Sequence, residues 1–173
     1  MTLSTTHAEW SLNRLTARHR EHRLAPRKQM QIGRHYSAVL VTRDANAVVD
    51  LVAIAESFAV ARWSTVSPAA AGKTWEERRK QWLQRGVDFN ACPTWNKVDG
   101  YIAARNAIQH NLGRLTNLQL GKHKVTILAA LSAAGIQCNG DAVLLRATDV
   151  DRCADVCQQF IRWLDLAAPQ PTN

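Results

Sequence analysis

The stretch RHYSAVLVTRDANAVVDLVAIAESFAVARW, residues 34–63, decides the fold class. Tyr36, Val39, Leu40, Ala47, Leu51, Ile54, Ala55 and Phe58 recur at steps that place side chains on one face of an α-helix. Asp44, Asn46, Asp50 and Glu56 fall on its other faces. The spacing therefore predicts one long amphipathic helix from Arg34 to Trp63.

Toward the C-terminus, Ser64 to Gly72 reads as a loop of small residues around Pro68. Lys73 to Arg85 reads as a shorter charged helix with Trp75 and Trp82 on one side and Gly86 as its stop. A loop punctuated by Pro93 leads to Asn96, which can cap a helix with Asp99 at the third position. That helix carries Val98, Tyr101, Ile102, Ile108 and Leu112, and Gly113 sits near its end. Lys122 to Ala134 predicts another helix, ended by Gly135. In Ile136 to Ala147, Asn139-Gly140 is a hairpin-type turn signal, and Val143-Leu144-Leu145 fits either a strand or a packed loop. Thr148, with Asp151 three later, is the predicted cap of a last helix striped by Val150, Cys153, Ala154, Cys157, Phe160, Ile161 and Leu164. Toward the N-terminus, His7 to Leu24 has weak helical periodicity through Ala8, Leu12 and Leu15, and Pro26 breaks it. These elements predict an all-α protein: an antiparallel bundle of four to five helices over 34–168, preceded by an exposed basic helix or arm over 1–33 and followed by a tail at 169–173.

Composition narrows the class. The chain has 173 residues, 46% hydrophobic and 21% charged, enough to bury one core. Its net charge of +8 favours a polyanionic partner. The excess is concentrated: Arg14, Arg18, Arg20, Arg23, Arg27, Lys28 and Arg34 are opposed only by Glu9 and Glu21 in the first 34 residues. Cys92, Cys138, Cys153 and Cys157 show no zinc-ligand spacing, and Cys153 and Cys157 fall on an apolar helix face, which suits inert packing. Without a signal peptide or an apolar run long enough to span a bilayer, the expected setting is cytoplasmic, with no membrane contact, no metal and no cofactor.

Several short patterns compete as sites. Gly72-Lys73-Thr74 resembles the tail of a phosphate-binding loop, but position 67 is Ser67 where the motif needs glycine, and no strand precedes it. His19 and His22 are three apart yet fall in a basic segment without a matching carboxylate or thiol. Lys122-His123-Lys124 is a basic cluster at a helix start; Lys122, Lys124 and Arg114 are candidate RNA contacts.

Arg105-Asn106-Ala107-Ile108-Gln109-His110 is the sharp case. Arginine supplies a permanent charge and a forked donor set suited to phosphate. Histidine is the side chain best placed to move a proton near neutral pH. RNA carries its own nucleophile, the 2′-hydroxyl, so Arg105 and His110 suffice in principle for its cleavage. Spacing alone is weak: with 16 Arg and 6 His, chance supplies roughly half an Arg-x4-His match, and Arg14 to His19 is a second one. Requiring Asn after the arginine lowers the expectation to roughly three in a hundred. On a helix Asn106 and His110 share a face, where the amide could orient the imidazole. Arg105 lies about 140° around the helix from His110, which raises the question of whether one chain or a two-fold pair assembles the site. A surface Arg and His on a core helix is the plain alternative.

With these residues the chain resembles the HEPN-domain family, whose signature is Arg, four to six residues, then His, with a polar residue directly after the Arg. The resemblance spans roughly Arg34 to Ala168, though only the six-residue motif is specific. It implies a dimeric helical bundle that cuts RNA without a metal and leaves a cyclic phosphate end, in toxin–antitoxin, abortive-infection or CRISPR-linked antiviral defence. It also implies that Arg105 holds the scissile phosphate, His110 acts as acid or base, and Asn106 supports them. Family members often add an acidic residue from an earlier helix, for which Asp44, Asp50 and Glu56 are candidates. One subgroup carries a modified Tyr two residues after the His, where this chain has Leu112. Other members only bind, which leaves a non-catalytic RNA-binding or complex-assembly subunit as the alternative, with an antitoxin or defence-complex protein as a further partner.

Overall fold

The computed structural model describes residues 4–24, 33–121 and 123–169. Pro26, Arg27, Lys28 and Lys122 lie outside them, as do the tail beyond Pro169 and the side chains of Arg34, Tyr36, Val39 and Leu40. The described elements are α1 (Thr5–Leu24), α2 (Gly33–Val66), α3 (Trp75–Gln84), a single 3-10 turn at Phe89–Ala91, α4 (Trp95–Asn111), α5 (Asn117–Leu120), α6 (Lys124–Ala133), β1 (Gln137–Asn139), β2 (Ala142–Leu144) and α7 (Ala147–Ala167). The protein is thus mainly helical, as the periodicities predict, and none of the described helices is long and apolar enough to cross a membrane.

The predicted 34–63 helix becomes α2, the longest element, which packs against α1, α4 and α7. Its inner face is Val48, Leu51, Val52, Ala55, Phe58 and Ala59, all buried. α7 answers with the predicted stripe: Val150, Cys153, Cys157, Phe160, Ile161 and Leu164 are buried. Cys153 and Cys157 stand in the core with sulfurs 4.0 Å apart, and burial pushes the Cys153 thiol up, away from its reactive form. Phe160 also joins an aromatic cluster, with Phe89 at 5.4 Å, Trp95 at 5.8 Å and Trp75 at 5.9 Å between ring centres. Such edge-on and tilted contacts add to burial energy. They fasten α3, the 3-10 turn and the start of α4 to α7.

α4 and α6 pack unusually close. A Cβ at Gly100 would stand 2.2 Å from the Ala130 carbonyl oxygen, so only glycine fits there. Ala103, Ala104 and Ala107 continue the buried side of α4. Tyr101, one turn before Arg105, belongs to the core: it is fully buried, its hydroxyl donates to Ala134 O at 3.5 Å, and burial raises its pKa.

Three expectations are corrected. First, α1 is not an exposed arm. Ala8 and Leu12 are buried, and Thr16 and His19 extend their stripe inward against α2 and α7. His19 Nε2 donates to the Asp44 carboxylate at 2.8 Å, and Arg23 bonds the same carboxylate at 2.5 Å, so His19 is not solvated. The weak periodicity of α1 reflects polar residues on its inward face that are satisfied there, His19 by Asp44 and Thr16 by Leu12 O at 2.8 Å. Second, Asn96 does not cap α4; Thr94 precedes it, without a side-chain cap bond. Third, α7 starts one residue before Thr148, and its capping carboxylate is Asp149, which accepts from the Arg146 amide at 2.7 Å. The segment 136–147, left open between strand and packed loop, forms the hairpin that Asn139-Gly140 signals, with Cys138 opposite Val143 and Gly140 at φ +61° in the turn.

Candidate active-site cleft

Arg105, Asn106 and His110 of α4 line one cleft of about 630 Å³ within a single chain. α2 contributes Glu56, the start of α3 contributes Lys73 and Thr74, and α5 contributes Thr116 and Gln119. Each wall has a local cause. Thr74 accepts the Glu77 amide at 3.2 Å while Glu77 accepts the Thr74 amide at 3.0 Å, a reciprocal cap that fixes where α3 begins. Thr116 and Gln119 repeat the device at α5. The Gln119 side chain also donates to Ala103 O at 3.0 Å, tying α5 to α4.

Glu56 is the electrostatic centre of the cleft. One carboxylate oxygen accepts Arg78 Nη1 at 2.6 Å; the other meets Arg105 Nη2 at 3.2 Å. Arg78, buried in α3, also donates to Lys73 O at 3.0 Å. Two guanidinium charges thus share one carboxylate, and the site keeps a net positive charge. The Nε atoms of both arginines are buried without an acceptor among the described residues. Arg105 further donates from Nη1 to Asn106 Oδ1 at 3.2 Å.

The acidic candidates separate by position. Glu56 meets Arg105, Asp44 is occupied by His19 and Arg23, and Asp50 lines a different groove between α1 and α2. The 140° offset between Arg105 and His110 does not keep them apart, because α3 and α5 close the cleft around that side of α4. The expected Asn106 to His110 contact is absent: the amide oxygen serves Arg105, and His110 is exposed with no hydrogen-bond partner among the described residues. Arg114 lies outside the cleft and pairs with Asp141 at 2.7 Å; Lys124 is exposed at the start of α6. Lys122 lies outside the described residues.

Arg78 and the α5 wall carry no functional motif in the sequence, whereas Lys73 and Thr74 belong to the Gly72-Lys73-Thr74 pattern. Thr74-x-x-Glu77 and Thr116-x-x-Gln119 were readable as capping boxes. The Arg78–Glu56 pairing spans 22 residues and left no local trace. No protein-family model, curated protein or solved structure matches this chain.

Proposed function

We propose that this protein is a metal-independent endoribonuclease of the HEPN type, cutting RNA by attack of the 2′-hydroxyl on the adjacent phosphate. The observation that carries the reading is the gathering of Arg105, Asn106, His110 and Glu56 at one cleft. In it Arg105, oriented by Glu56, holds the scissile phosphate and offsets charge on the phosphorane. His110 transfers a proton to or from the reacting oxygens, a contribution of about a hundred- to ten-thousandfold. The oxygen of the cleaved bond leaves as a 5′-hydroxyl, and the 2′-oxygen closes a 2′,3′-cyclic phosphate. A role as a cytoplasmic toxin or antiviral effector, working as a homodimer and held by an antitoxin, follows from the family resemblance.

The test is cleavage of single-stranded RNA in EDTA with end-group analysis. Wild type is expected to leave cyclic phosphate ends, and His110→Ala to lose at least a hundredfold in rate. Cleavage unchanged in both Arg105→Ala and His110→Ala sinks the reading. One observation favours a non-catalytic RNA-binding or assembly subunit instead: none of the described residues hydrogen-bonds the His110 ring, since Asn106 is engaged by Arg105. That alternative predicts RNA binding without cleavage, undiminished by His110→Ala.

A further inference from the structure

A second groove, of about 640 Å³, runs between α1 and α2. Trp10, Arg14, Arg18 and His22 line it from α1, and Arg43 and Asp50 from α2. The four α1 residues are spaced by four, so they form a ladder along one side of the helix, about 6 Å apart in rise. That step is comparable to the spacing of phosphates along an extended single strand.

Three features set this groove apart. Trp10 is 53% exposed, whereas Trp63, Trp75, Trp82 and Trp95 are each 8% exposed or less. Arg14 lies over its ring at 4.9 Å from the centroid. Arg18 and Arg43 make no hydrogen bond, ion pair or ring contact among the described residues, while Arg20, Arg23, Arg62, Arg78, Arg105 and Arg114 all meet carboxylates. The one carboxylate in the groove, Asp50, bonds none of these arginines. Unneutralised like charges held together oppose folding and raise the potential for an anion. A half-exposed indole beside unpaired guanidiniums is the combination that stacks bases while tracking a backbone.

We propose that the α1–α2 groove binds single-stranded nucleic acid, with Trp10 stacking a base and Arg14, Arg18 and Arg43 meeting phosphates. This site is separate from the cleft: Ile54, which lines the groove, and Glu56, which lines the cleft, are two residues apart on α2 and so face away from each other. The proposal does not rest on cleavage by Arg105 and His110.

The experiment measures binding of a fluorescein-labelled oligouridylate by anisotropy across a salt series. The full chain carries His110→Ala, so that the probe stays intact whether or not the protein is a nuclease. Trp10→Ala is expected to weaken binding about five- to hundredfold, and Trp10→Phe to restore most of it. Arg18→Gln with Arg43→Gln is expected to lower the salt slope by about 1.4, two phosphates' worth for a single strand. All the substituted groove residues reach the surface, and circular dichroism checks that each variant keeps its helices. Affinity and salt slope unchanged in all these variants overturn the proposal. So does duplex RNA binding as tightly as the single strand, which would remove the base-stacking role. Displacement of the probe by polyglutamate at equal charge concentration overturns it in favour of an acidic protein partner.

Discussion

Glu56 gives the cleft its character at the level of single residues. A carboxylate beside one arginine would cancel the charge needed for phosphate; shared between Arg78 and Arg105, it orients both and cancels half. Asp99, also on α4, shows the opposite situation. Burial pushes its carboxyl up, only partly offset by the Arg79 charge. Its ionised form is therefore penalised in the folded state, so stability falls as pH rises through the folded pKa. Asp99→Asn is expected to be more stable than wild type at neutral pH. The advantage should vanish below the ordinary aspartate value of 3.8, where both states are protonated. Urea unfolding at the two extremes of pH reads it, and equal destabilisation at both would refute it.

At the scale of elements, the end of α4 is the informative place. Leu112 closes the helix at φ 52°, ψ 38°, a left-handed conformation that costs a non-glycine residue about 1–2 kcal/mol. Its side chain is 98% exposed, so no packing offsets that strain. Leu112→Gly should stabilise the fold by about 1 kcal/mol, after glycine's greater loss of chain entropy is subtracted. A rise in melting temperature of a few degrees is the expected observation; a fall would refute it.

For the whole molecule, what was legible followed from periodicity. α2 and α7 show continuous apolar stripes, and both formed where the stripes predicted. α1 does not read as a core element because two positions of its inward stripe are Thr16 and His19: Thr16 turns its hydroxyl back to Leu12 O, and the partner of His19, Asp44, comes from another helix. The motif residues were legible one by one, but the walls that join them depend on contacts between α2, α3 and α5 that are distant in sequence. The integration of α1 has a testable result. A chain beginning after residue 24 loses Ala8 and Leu12 from the core and leaves the buried Asp44 without its partners. Asp44 then faces water in place of its partners, and the apolar surfaces of α2 and α7 that α1 covered are exposed, at about 25 cal/mol per Å². The shortened chain should therefore lose most of its helical circular dichroism at 25 °C, where removal of a free arm would leave it unchanged.

The hairpin has a consequence in time rather than in energy. The Leu115 amide donates to Asp141 O at 2.7 Å, the Val143 amide to Gly113 O at 2.8 Å, and Arg114 clasps Asp141. The turn that follows His110 is therefore stitched to β2 from both sides. The helix end bearing His110 can fray only as fast as these stitches open, so the hairpin acts as a clock for the rim of the cleft. At high pH, where chemical exchange outpaces reclosing, amide hydrogens at Leu115 and Val143 should exchange with solvent at one common rate, and that rate is the one at which the rim opens.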